Sequence, residues 1–183
     1  NKGWIGQLME EVLGATASSR AQPDFPHLGV ELKTLPIDGK GAVKESTYVC
    51  TAPIDGLAPD WESSWVCQKL AHVLWVPVLV EPGLMLGERR VGSPLLWRPS
   101  SENLQLLRQD WEELADLMSR GEFWMISGHR GAVLQLRPKA ARASDTNWVL
   151  DDEANWVKAT PMGFYLRAKF TRGILARHFV TRG

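Results

Sequence analysis

Pro23-Asp24-Phe25-Pro26-His27-Leu28-Gly29-Val30-Glu31-Leu32-Lys33 carries two acids and a lysine in eleven residues, and its reading decides the fold. A strand over Leu28 to Thr34 would place Val30 and Leu32 on one face and Glu31 and Lys33 on the other, because strand side chains alternate. Pro23 and Pro26 argue against helix around Asp24 and for a turn or short extended segment. The chain can then fold back and set Asp24 beside Glu31. Two converging carboxylates make a hard-oxygen site suited to magnesium, and a neighbouring ammonium can orient water or stabilise charge on a phosphoryl oxygen. The pattern points to phosphodiester hydrolysis, although alternating Glu and Lys is also what a solvated strand edge carries.

The chain outside that stretch sets the context. Its 183 residues suit one compact domain, or one domain split by a cleft into two lobes. Hydrophobic residues make up 44% and charged residues 23%, the balance of a soluble globular protein, and no apolar run approaches the roughly 18 residues of a membrane span. Cys50 and Cys67 lack a CxxC spacing and read as reduced thiols. The first residue is Asn1, no signal-peptide pattern opens the chain, and further residues are expected upstream. His27, His72, His129 and His178 have no metal-ligand spacing. Net charge is zero but unevenly spread: residues 154–183 hold Lys158, Arg167, Lys169, Arg172, Arg177 and Arg182 and no acid. A basic C-terminal segment opposite an acidic remainder suits a magnesium-dependent nuclease, although a basic tail is also common in proteins that never meet DNA.

Periodicity predicts a helix over Gly3 to Leu13, with Trp4, Ile5, Leu8, Met9, Val12 and Leu13 as its apolar stripe and Gly14 as its stop. The Asp-Gly after Ile37, followed by a β-prone run from Ser46 to Ala52, predicts a hairpin from the catalytic strand. A helix over Ser63 to His72, capped by Ser63 or Ser64, precedes an almost wholly apolar strand, Val73 to Val80. A loop-rich stretch from Gly83 to Pro99 leads to a long helix over Ser101 to Arg120, with Leu104, Leu107, Trp111, Leu114 and Met118 inward. Glu122–Ser127 and Ala132–Leu136 read as paired strands, the second delivering Arg137. Gly163 to Lys169 reads as a strand, and Thr171 as the cap of a final helix with Ile174, Leu175 and Phe179 inward.

Pro23-Asp24, six intervening residues and Glu31-Leu32-Lys33 resemble the PD-(D/E)XK nuclease pattern. With Lys2-Gly3-Trp4-Ile5-Gly6, Leu28-Gly29-Val30-Glu31-Leu32-Lys33-Thr34, Arg89-Arg90-Val91-Gly92-Ser93-Pro94-Leu95-Leu96-Trp97, Leu136-Arg137-Pro138-Lys139-Ala140 and Gly163-Phe164-Tyr165-Leu166, nearly the whole chain resembles the MutH family of mismatch-repair endonucleases.

That resemblance implies an α/β fold of the restriction-endonuclease-like kind: a mixed β-sheet flanked by helices, with two lobes around a DNA-binding cleft. One endonuclease domain would span 1–183, its catalytic lobe mainly in the N-terminal half and its DNA-reading lobe mainly in the C-terminal half. It implies Glu10, Asp24, Glu31 and Lys33 as catalytic residues, and a Mg2+ site (Mn2+ substituting) built from Asp24, Glu31 and the Leu32 backbone carbonyl. Arg137, Pro138 and Lys139 match the segment that contacts the GATC site, and an arginine fork suits guanine O6 and N7. Tyr165 matches the tyrosine near the adenine whose N6 methylation is sensed. Tyr48 stands where relatives often have Phe, so its ring is a candidate DNA contact, while Lys2 and Lys69 are candidate phosphate contacts. The implied activity is nicking of the unmethylated strand at hemimethylated GATC by a monomer in the bacterial cytoplasm, with double-stranded DNA and MutL as partners and no membrane. The alternatives are a restriction enzyme cutting both strands at GATC and an inactive DNA-binding repair scaffold. The acidic segment Ser144–Asn155 does not match the family pattern and reads as a flap between the DNA-reading segments.

Overall fold

The computed structural model describes residues 3–16, 22–53, 57–122, 129–139, 147–150, 156–159 and 161–179. Its helices are α1 (Trp4–Leu13), α2 (Trp65–Leu70), α3 (Ser101–Ser119) and α4 (Ala168–His178). Its strands are β1 (Glu31–Ile37), β2 (Thr47–Ala52), β3 (Val73–Leu79), β4 (Leu95–Trp97), β5 (Leu134–Pro138), β6 (Asn147–Leu150), β7 (Trp156–Ala159) and β8 (Met162–Leu166). The expected mixed sheet is β1-β3-β4, with β1 parallel to β3 and β4 antiparallel to β3. A second sheet, β2-β8-β5, is wholly antiparallel, and β6 and β7 form a separate two-stranded ribbon. The architecture is α/β and restriction-endonuclease-like. Among the described residues no helix is long and apolar enough to cross a membrane.

The apolar run of β3 is explained by cover on both faces. Val73 and Trp75 enter the main core with Leu35 of β1, Val49 of β2, Leu107 and Leu114 of α3, and Phe164 of β8. Val76 and Val78 point the other way and meet Leu32, with Ile5 and Met9 of α1 packed against them. Fully burying such a side chain stabilises the fold by about 1.5–3 kcal/mol. The main core therefore joins the two sheets, and α1 closes the far face of the first.

Several boundaries and partners differ from the sequence expectation. The catalytic strand starts at Glu31, and Leu28 lies in the preceding turn with 70% of its surface exposed. The turn after Ile37 forms, with Asp38 accepting from the Lys40 and Ala42 amides, but only an isolated Ile37–Val43 bridge follows it. No hairpin results, because β2 leaves for the second sheet and pairs with β8. In α1, Ile5 and Met9 pack inward, while Trp4, Val12 and Leu13 remain 42–68% exposed. In α3, Leu104 is likewise exposed, and Leu117 joins the buried stripe. Helix α4 begins at Ala168, so Thr171 is buried in its first turn and donates to the Ala168 carbonyl instead of capping. Ser64 and Ser100 do cap α2 and α3, accepting from the amides of Cys67 and Asn103. The strand expected over Glu122–Ser127 falls mostly outside the described residues, as do 144–146 and 151–155 of the acidic segment; β5 takes β8 as its partner.

Candidate active site

Gly29, at φ 62°, completes the turn that reverses the chain before β1, and Phe25 and Val30 bridge across it. This brings Asp24 back over Glu31. The Leu32 amide donates to Asp24 Oδ2 at 2.8 Å, and the Asp24 amide donates to Glu31 Oε2 at 3.3 Å. Asp24 is 6% exposed and Glu31 only 1%, so the face expected to carry the chemistry is buried.

A carboxylate buried so deeply needs opposite charge. Glu31 has two ammonium partners: Lys33 Nζ at 2.5 Å from Oε1 and Lys69 Nζ at 2.9 Å from Oε2. Lys69 was expected at a DNA phosphate. It is instead 8% exposed and reaches from α2, which packs against β2, to the buried Glu31, whose charge attracts it. Glu10 completes the group from α1. Partial burial, and next the charge of Asp24, push its carboxyl above the ordinary range, while Lys33 and Lys69 pull it back. Glu10, Asp24, Glu31, Lys33 and Lys69 thus form one electrostatic cluster drawn from three elements and the turn before β1.

The donor set fits a hard cation. Among the described residues no three His, Cys, Asp or Glu side chains form a ready cage. Asp24 and Glu31 bring two carboxylates together, and magnesium needs only a few such oxygen donors because it keeps several waters. Burial pushes the Cys50 thiol up to about 12.

Glu10, Leu32 and Lys33 line one wall of a cleft of about 990 Å³, and Tyr48, Arg137, Pro138, Lys139 and Tyr165 line the other. The second wall is the exposed face of β2-β8-β5. Tyr48 pairs with Tyr165 across the ladder, and their rings meet edge-on with centroids 5.4 Å apart. Arg137 lies over the Tyr165 ring at 5.5 Å and Lys139 over the Tyr48 ring at 5.0 Å. Between the strands sits Gly163, where an added Cβ would stand 3.0 Å from the Tyr48 ring and 3.2 Å from the Tyr165 ring. Burial first, then the neighbouring Tyr48, push the Tyr165 phenol upward. Lys2 lies outside the described residues.

Asp110 was not singled out from the sequence. Buried in α3, it accepts from the amides of Ala132, Val133 and Leu134 at 2.6–2.9 Å, fixing the entry into β5 and so the register of Arg137. Gly131 at φ 80° is required there, because an added Cβ would collide with the Leu134 carbonyl oxygen. An acid on the stripe side of a helix was the only sequence signal.

A buried acid and lysine cluster facing cations and aromatic rings across a cleft, on this fold, defines a DNA endonuclease. The comparisons narrow the class. A family model described as DNA mismatch repair enzyme MutH matches residues 13–110. A DNA mismatch repair protein MutH of Serratia proteamaculans is 49% identical over 180 residues, covering 98% of this chain and 79% of the relative. Proteins of the same name from Shewanella baltica (48% identical, 98% and 81% covered) and Citrobacter koseri (49%, 100% and 80%) agree. The chain belongs to the MutH family.

Proposed function

We propose that this endonuclease nicks the unmethylated strand of hemimethylated GATC sites in mismatch repair, with magnesium as its cofactor. The observation that supports this best is the cleft that Glu10, Leu32 and Lys33 share with Arg137, Lys139 and Tyr165. DNA lying in it would place a phosphodiester at the first wall and base edges at the second. The two walls would be lobes of one domain.

Asp24, Glu31 and the Leu32 carbonyl would hold the metal, which supplies Lewis-acid stabilisation of charge on the phosphoryl oxygens when bound. Lys33 would position the attacking water and Lys69 would balance the Glu31 charge from the opposite side, holding its carboxylate in one orientation. Glu10 would support the cluster from α1. Arg137 would present its fork to guanine O6 and N7. The Tyr165 ring would lie near adenine N6, where a methyl group would collide with it. MutL as the activating partner, a monomeric state on DNA and a cytoplasmic location complete the reading.

The test uses supercoiled plasmids with and without GATC. Magnesium-dependent conversion of the GATC plasmid to the nicked circle is expected, with the GATC-free plasmid spared. Equal cutting of both would overturn the sequence assignment, and direct linearisation would favour the restriction reading.

A further inference from the structure

Tyr48 and Thr51 are three positions apart on β2, so in a regular strand their side chains would face opposite sides of the sheet. They do not. The ladder with β8 shifts between Tyr48 and Cys50, a bulge that inserts Val49 and turns Tyr48 to the face occupied by Thr51. The Tyr48 hydroxyl lies 2.8 Å from Thr51 Oγ1, and Lys139 Nζ donates to the same oxygen at 3.1 Å while sitting over the Tyr48 ring. Thr51 itself pairs in register with Gly163, which in turn pairs with Arg137, so one row across the sheet holds the threonine, the side-chain-free position and the arginine.

We infer that Thr51 is a positioning residue for DNA recognition: its hydroxyl ties the Tyr48 ring and the Lys139 ammonium into one preformed surface. A free lysine side chain has large rotamer entropy to lose when it contacts DNA. Held by Thr51 and the Tyr48 ring, Lys139 loses much of that freedom before DNA arrives. An ammonium has three donors, and Thr51 takes one, so others stay available for a guanine or a phosphate. The threonine oxygen can accept from Lys139 and still exchange a hydrogen bond with the tyrosine, since a hydroxyl has one donor and two lone pairs. The bulge explains why a strand would carry this arrangement: without the extra residue, the two hydroxyls could not meet.

This inference rests on the proposed reading of the Arg137–Lys139 wall, and the experiment separates the two. Binding of the full chain to a fluorescent hemimethylated GATC duplex, and to a scrambled duplex, is measured by anisotropy, and single-turnover nicking is measured at saturating enzyme. Thr51→Val keeps the β-branched shape and removes the hydroxyl; it should raise Kd for the GATC duplex about three- to tenfold, the net scale of one typical hydrogen bond. The rate at saturation should stay at the parent value, because the first wall is untouched. Thr51→Ser should restore binding, and Tyr48→Phe should cost little more in the Thr51→Val background than the valine change alone. Parent-like binding by Thr51→Val, failure of Thr51→Ser to restore it, or a matching fall in the saturated rate would each overturn the positioning role. A parent protein with no preference for the GATC duplex would overturn the site reading, and this inference with it.

Discussion

The two walls of the cleft use charge in opposite ways. Behind the Glu10–Lys33 wall, Glu31 and Lys69 are less than a tenth exposed, and Glu31 is paired with Lys33 and Lys69 through hydrogen bonds of 2.5–2.9 Å. On the opposite wall, Arg137 and Lys139 are exposed, and among the described residues their side chains meet tyrosine ring faces and one threonine hydroxyl. Burial makes the first cluster rigid and intolerant of losing a member, since an unpaired buried charge costs about 3–5 kcal/mol. Exposure leaves the second free to exchange its weak contacts for nucleic acid. On the proposed function, catalytic geometry would be fixed before the substrate arrives, while recognition would keep its donors in reserve.

Removing a catalytic cation should therefore produce the largest change. Lys33→Ala is expected to lower nicking by at least about 10²–10³-fold, the scale of one lost electrostatic group, while DNA binding measured by gel shift stays near the parent value. Substantial nicking by that variant would remove Lys33 from catalysis. Glu31→Ala should lose activity too, but with a second signature that the opposite wall lacks: the buried Lys69 and the part-buried Lys33 lose their carboxylate, and stability in urea should drop by about 3–5 kcal/mol. An unchanged unfolding midpoint would show that the cluster is wetter than its geometry indicates.

On the opposite wall the effects should be smaller and confined to recognition. Arg137→Ala is expected to cost about 1–3 kcal/mol at the G·C pairs, read as a fall in the ratio of GATC to scrambled binding, with folding unchanged. An equal loss on both duplexes would reassign it to the DNA backbone. Tyr165→Ser should have the mildest consequence, a weaker distinction between methylated and unmethylated substrate with the unmethylated rate largely kept.

The sequence told most where the signal was local. The Ser64 and Ser100 caps, the Gly14 stop, the continuous apolar run of β3 and the return of Asp24 onto Glu31 are set by residues within a turn or two of each other. The errors involve distant partners. An Asp-Gly turn after Ile37 suggested a hairpin, yet β2 finds its neighbour β8 more than a hundred residues later, and nothing local announces that pairing. Lys69 looked like a surface lysine of a short helix because Glu31, which draws it inward, is 38 positions away. Thr51 gave no signal, since its meaning depends on a bulge and on a lysine 88 residues further along.

The central claim, that one catalytic wall and one methyl-sensitive reading wall act on a single strand, is tested most directly with a GATC duplex whose strands carry different labels. Each methylation state is incubated with enzyme and magnesium, and cleavage is followed strand by strand. The account predicts nicking of only the unmethylated strand in the hemimethylated duplex and resistance of the fully methylated one. Coordinated cutting of both strands, or equal cutting whatever the methylation, would contradict it.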